Sequence, residues 1–193
     1  NDVYPSHTDS ELVYTYMIGD KEYQSLINAG TYTVTITLPE TDQYYEATIE
    51  VTVVIETSKT TEPTVLNATY GDVLSSIELP TIENVGKWVW VTPTDLVGDA
   101  GEQYHKAKFE TEDPNYLEYE IDVKVVVAKK KVTIEVIENE YFYDGTEHTI
   151  TYRVLDGEEE LSLNVTQNKV STNACNYTTT LVVDEKNYSG SVD

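Results

Sequence analysis

Residues 31–38 read TYTVTITL, with Thr alternating against Tyr, Val, Ile and Leu. That period of two predicts a strand with one face buried. Residues 47–55, ATIEVTVVI, repeat the pattern. Between them Pro39-Glu40-Thr41-Asp42 breaks the run with a loop too long for a tight hairpin. The plan returns downstream: a strand over 103–111, a turn at Glu112-Asp113-Pro114-Asn115, then the alternating run YLEYEIDVKVVV over 116–127. Ahead of it, Trp88-Val89-Trp90-Val91 predicts a short strand with both tryptophans on one face. At least one is expected in the core, the other at its rim or at a contact between repeats. Further strands are predicted over 131–136, 148–155 and 177–183, the last equivalent to 31–38. A turn marked by Asp156-Gly157 lies between the latter two. No window of twelve residues carries a helical stripe; a short helix or 3₁₀ turn fits 72–77.

The strands belong to a larger repeat. Asn28-Ala29-Gly30-Thr31-Tyr32 leads to Tyr44-Tyr45. Asp99-Ala100-Gly101, with Tyr104, leads to Asn115-Tyr116. Asn173-Ala174-Cys175-Asn176-Tyr177 leads to Asn187-Tyr188. A period of roughly seventy residues predicts a tandem array. The expected modules are 1–56, with a divergent or truncated front half, 57–129, and 130–193, with its last strand cut off. Each lies near the lower limit for an independent core. The polar stretch 56–63, ETSKTTEP, reads as a linker, whereas 128–131 leaves little slack between repeats. The chain reads as a piece of a longer protein. The fold class expected is all-β: small Ig-like β-sandwich modules in an extended array. A β-grasp-like module is the alternative, and it would need a helix.

Charge narrows the partners. The formal net charge is −23, from 35 acidic and 12 basic residues. Such a surface repels phosphate backbones, which argues against nucleic acid. No apolar run approaches a membrane span. Cys175 is the sole cysteine, so no intramolecular disulfide can form. Tyr occurs 16 times against two Phe and two Trp, a balance suited to half-exposed sheets.

Catalytic signatures are missing from the sequence. His7, His105 and His148 stand apart, without zinc-type spacing, and read as satisfied or surface histidines. The glycines sit singly at turns, with no phosphate loop, and no nucleophile elbow occurs. The acidic turns around Glu112-Asp113 and Asp184-Glu185 match no calcium loop, and Lys186 opposes one. No catalytic, cofactor-binding or metal-binding residue is assigned, and no cofactor is expected. Ligand-binding residues are left open. Tyr45, Tyr116 and Tyr188 precede final strands and suit a tyrosine corner, with ring in the core and hydroxyl on backbone; sugar stacking is the alternative. Gly30 and Gly101 suit a turn with positive φ, which Cys175 would adopt only at some cost. No basic neighbour in sequence activates that thiol. The sequons at Asn67, Asn164, Asn176 and Asn187 are as frequent as chance allows.

Tyr143-Asp144-Gly145-Thr146-Glu147-His148, followed by Asn173-Ala174 and Asn187-Tyr188, resembles the YDG-type repeat modules of bacterial cell-surface proteins. Thr69-Tyr70-Gly71-Asp72-Val73-Leu74, Leu79-Pro80, Trp88 to Trp90, Val97-Gly98-Asp99-Ala100-Gly101 and Asn115-Tyr116 resemble a companion Ig-like repeat of such proteins. Residues 1–56 match only in their second half, with Tyr4-Pro5-Ser6 where the tyrosine-glycine signature would stand. The resemblance implies an extracellular location, secreted or on the bacterial cell surface. It implies non-catalytic spacer or adhesive modules and brings no catalytic residues. A spacer would touch neighbouring modules of its own chain. A binder of glycan or host surface protein would show a patch of exposed aromatics, best sought at Trp88, Trp90, Tyr104 and Tyr119. An accessory region of an extracellular enzyme is the third class.

Overall fold

The computed structural model of the protein describes residues 13–18, 20–41 and 45–193. His7, Tyr4-Pro5-Ser6 and Tyr44 of the sequence motifs lie outside the described residues. The chain is all-β. Its sole helical element among the described residues is the 3₁₀ turn Leu74–Ser76, inside the stretch 72–77, so the helix of a β-grasp module is not found there.

β1 (Val13–Ile18), β2 (Lys21–Tyr23), β3 (Gly30–Leu38) and β4 (Ala47–Ile55) form one sheet in the order β2-β1-β3-β4. β5 (Leu66–Thr69), β6 (Thr81–Ile82), β7 (Gly86–Trp90), β8 (Gly101–Thr111) and β9 (Glu120–Ala128) form a second, in the order β5-β9-β8-β7-β6. The rest divides into two sheets. One holds β10 (Lys130–Lys131), β16 (Tyr188–Val192), β15 (Leu181–Asp184) and β14 (Thr166–Gln167), in that order. The other holds β11 (Thr133–Glu138), β12 (Thr151–Asp156) and β13 (Glu159–Leu161).

One pairing scheme recurs. The last strand lies antiparallel to the one before it, as β3 with β4, β8 with β9, and β15 with β16. In the second and third instances the first strand returns parallel to the last, β5 on β9 and β10 on β16. β10 starts two residues after β9 ends, because Ala128 and Lys130 each close a ladder.

Alternation becomes burial where a sheet is covered. Val123, Val125 and Val127 of β9 are buried at every second position. In residues 130–192, Val132, Ile134 and Val154 pack with Leu181 and Val183 of the other sheet, with Tyr152, Leu161 and Tyr188 around them. That is a sandwich core, facing sheets sharing one apolar layer.

Several expectations are corrected. β4 is largely exposed, not half-buried, because it sits at the sheet edge and burial falls away from Tyr32 and Val34 of β3. Both tryptophans are in the core, neither at its rim, and Trp90 Nε1 donates to the Ile77 carbonyl at 3.0 Å. The strand expected over 177–183 begins only at Leu181, and the one expected from Tyr116 begins at Glu120. A strand, β16, forms over Tyr188–Val192, where the last strand of the third module is expected to begin. Of the tyrosines expected at corners, Tyr45 is 89% exposed and Tyr116 half-buried, while Tyr188, also half-buried, packs against the core of residues 130–192. The corner residue is Tyr32, fully buried, its hydroxyl donating to the Asn28 carbonyl at 2.7 Å. Its place, two residues after Gly30, points inward at the start of β3.

The chain falls into two compact units. The first runs up to Thr61 and includes Ile82–Lys87 and Phe109–Tyr119; the second holds Glu62–Thr81, Trp88–Lys108 and Glu120–Asp193. Within the first, the stretch expected to be a linker forms no strand but is bonded at Ser58. Ser58 N–H donates to the Asn115 carbonyl at 2.8 Å, and Leu117 N–H to the Ser58 carbonyl at 2.9 Å.

Tyr32→Ala should therefore cost ~3–5 kcal/mol, the range for truncating a buried aromatic, and Tyr116→Ala clearly less. Chemical denaturation of the two variants, followed by circular dichroism, measures the difference.

Candidate functional site

A backbone amide in a sharp bend needs a partner. In the first unit the bend is Asn28-Ala29-Gly30. Ala29 N–H donates to Asn115 Oδ1 at 2.6 Å, and Asn115 Nδ2 donates to Asn28 Oδ1 at 3.2 Å. The Asn115 side chain is held ready by Asp113, whose Oδ1 accepts Asn115 N–H at 2.9 Å and Nδ2 at 2.8 Å. The acidic turn is thus an Asx turn that aims an amide.

The second unit repeats the arrangement. Ala100 N–H donates to Asn187 Oδ1 at 2.9 Å, and Asn187 Nδ2 donates to Asp99 Oδ1 at 2.8 Å. Lys186 Nζ binds the other Asp99 oxygen. The Asp99 carbonyl accepts Gln103 Nε2 at 2.9 Å, the place Tyr32 takes in the first bend. Lys186 first, then Asn187, hold the Asp99 carboxyl below its usual range. Tyr188, next to Asn187, meets Tyr70 edge-to-face with ring centroids 5.3 Å apart. One turn, 186–188, thereby grips two features: the Asp99-Ala100 bend and the ring of Tyr70.

The third bend differs. Gly101 has φ +124°, but Gly30 at +158° is close to extended. Among the described residues Asn84 is the one non-glycine with positive φ, so Cys175 does not share the conformation of Gly101. The bend 172–174 lines an open cleft of about 460 Å³. Its opposite wall is the segment 139–148, which carries Tyr141, Phe142 and Tyr143. Phe142 is 96% and Tyr143 69% exposed.

The Tyr143-Asp144-Gly145-Thr146 motif shapes that wall. Asp144 Oδ1 accepts Thr146 N–H at 2.8 Å and its hydroxyl at 2.7 Å, closing a turn in which Gly145 takes φ +76°. The same oxygen lies 3.0 Å from His148 Nε2. The Thr146 bonds chiefly, and His148 in addition, lower the Asp144 pKa to about 2. The His148 ring stacks on Tyr141 at 4.8 Å, and the Tyr141 hydroxyl lies 2.7 Å from the Thr149 carbonyl. The Cys175 thiol, exposed, lies 3.6 Å from Ser171 Oγ. These contacts brace the loop and leave Phe142 and Tyr143 exposed.

The aromatic patch sought at Trp88, Trp90, Tyr104 and Tyr119 is not formed. The tryptophans are buried, and the Tyr119 hydroxyl donates to the Thr60 carbonyl at 3.1 Å. Only Tyr104 is well exposed. The exposed rings cluster at 142–143 instead. His105 Nε2 lies 3.1 Å from the Val97 carbonyl beside Trp90. Asp184 pairs with Lys129 at 2.6 Å, and Glu185 accepts Asn164 Nδ2 at 2.8 Å. Among the described residues no three His, Cys, Asp or Glu side chains are placed to hold a metal ion, and no helix is long and apolar enough to cross a membrane. Comparison with protein-family models, curated proteins and solved structures finds no match to this chain.

Two outcomes follow. Asn187→Ala deletes the acceptor for Ala100 N–H and should cost ~1 kcal/mol or more in thermal unfolding, the scale of one neutral hydrogen bond. The Asp144 carboxylate, with its pKa depressed from 3.8, favours the folded loop above about pH 4, and that contribution is lost as pH falls through about 2. The Thr146 amide resonance should shift across that window, and Asp144→Ala should abolish the transition.

Proposed function

We propose that the chain is a set of non-catalytic spacer modules from a secreted or surface-attached bacterial protein. In this reading residues 1–56, 57–129 and 130–193 are modules in series, and the reading agrees with the resemblance to YDG-type and companion Ig-like repeats. The observation that carries it is the repeated amide clasp, Asn115 on Ala29 and Asn187 on Ala100. The paired residues stand 86 and 87 positions apart, more than one repeat, so each bond ties a module to the next. A spacer needs such joints, because its task is to hold a direction along the array.

The second reading is a module that binds glycan or host protein. The 460 Å³ cleft with exposed Phe142 and Tyr143 favours it, since exposed rings stack on sugar faces. An accessory role beside an extracellular catalytic domain is compatible with either.

Small-angle scattering tests the spacer. A compact globule of this length has a radius of gyration of about 16 Å. The spacer predicts a clearly larger value, and a value near 16 Å would overturn it.

A further inference from the structure

The cleft and the second clasp are built from the same parts. Around Asn187-Tyr188 those parts are Tyr70, in Thr69-Tyr70-Gly71-Asp72, and the bend Asp99-Ala100. Around the cleft they are Tyr143, in Tyr143-Asp144-Gly145, and the bend Asn173-Ala174. Tyrosine and bend are 29 residues apart in the first set and 30 in the second. Asn173 matches Asn28 and Asp99 as an acceptor for an amide NH₂. Ala174 N–H and the Asn173 side chain have no partner among the described residues. Tyr188 covers Tyr70, whereas Tyr143 and Phe142 are exposed.

We infer that the cleft between 141–148 and 172–177 is a docking site for the Asn-Tyr turn of a further module of this kind. The incoming asparagine takes the Ala174 N–H on its carbonyl oxygen and gives its NH₂ to Asn173. The tyrosine behind it covers Tyr143. The inference rests on the spacer reading, and it names what the exposed rings are for. A glycan would need the rings, whereas an asparagine amide would also engage the Ala174 N–H and the Asn173 side chain.

The test extends the full chain. Residues 122–193 are fused after Asp193, so that β16 continues into the register of β9. The second Asn187 then stands 85 residues after Ala174, against 86 and 87 in the existing clasps. Cys175→Ser in the added segment leaves the original Cys175 as the one thiol, beside the bend. The expected result is at least tenfold slower exchange of the Ala174 amide and slower maleimide labelling of Cys175. Asn187→Ala in the added segment should reverse both. Unchanged rates with the added segment folded, or slowing that survives Asn187→Ala, would overturn the docking site. Scattering on the same extended chain keeps the two ideas apart: a large radius with an unprotected Ala174 sinks the site and spares the spacer. If the added segment fails to fold, a peptide of residues 183–190 is titrated into the 193-residue chain. Amide shifts confined to 141–148 and 172–177 would support the site, and no shift at millimolar peptide would overturn it. Oligosaccharide binding that shifts Phe142 and Tyr143 and blocks the peptide would reassign the cleft to glycan.

Discussion

A single side-chain amide, presented by an acidic turn to a distant backbone N–H, is the constraint on which the rest depends. Asparagine suits the task because one short group both accepts and donates. The backbone N–H of Ala29 or Ala100 must meet an oxygen, which fixes the orientation of the amide. The NH₂ then faces Asn28 or Asp99. Aspartate in place of Asn187 would bring a second carboxylate against Asp99, and glutamine would add a methylene and a torsion to order. The turn that presents the amide is fixed by its own bonds, Asp113 to Asn115 and Glu185 N–H to the Tyr188 carbonyl. Little conformational freedom is left to lose when the clasp forms.

Much of the β-architecture was legible. Alternation marked β3, β8 and β9 to within a few residues, because a buried face imposes period two on sequence. The clasp was not, although both halves of it were recognised as motifs. A repeat is found by comparing each residue with the one a period later. The bonded residues are a period plus some fifteen positions apart, so the alignment that displays the repeat never sets them side by side. Ala-Gly reads as a turn and Asn-Tyr as a corner, each explicable alone. The corner was misplaced for a related reason. Parity within a strand tells which residues share a face, not which face is covered, and Tyr45 stands ahead of an edge strand. The cleft needed two loops brought together, 139–148 and 172–177, neither with any periodicity to follow.

The two clasps differ in charge, and in so acidic a chain that difference has consequences. Asn28 with Asn115 is neutral on both sides, hence indifferent to salt and to acid over the carboxylate range, apart from the support of Asp113. Asp99 with Lys186 and Asn187 adds an ion pair that screening weakens. Lys129 and Lys130, where β9 gives way to β10, pair with Asp184 and Asp156 at 2.6 Å each. Three of twelve basic residues therefore sit close to the second clasp. Exposed pairs of this kind each contribute little. Their placement opposes the repulsion that a net charge of −23 creates wherever two acidic segments are brought together. Added salt then acts in both directions, relieving the general repulsion while weakening these local pairs. The neutral amide contact stays constant between the two. At the third bend the acceptor is again asparagine, as in the first, so that joint would depend on geometry and apolar cover more than on charge.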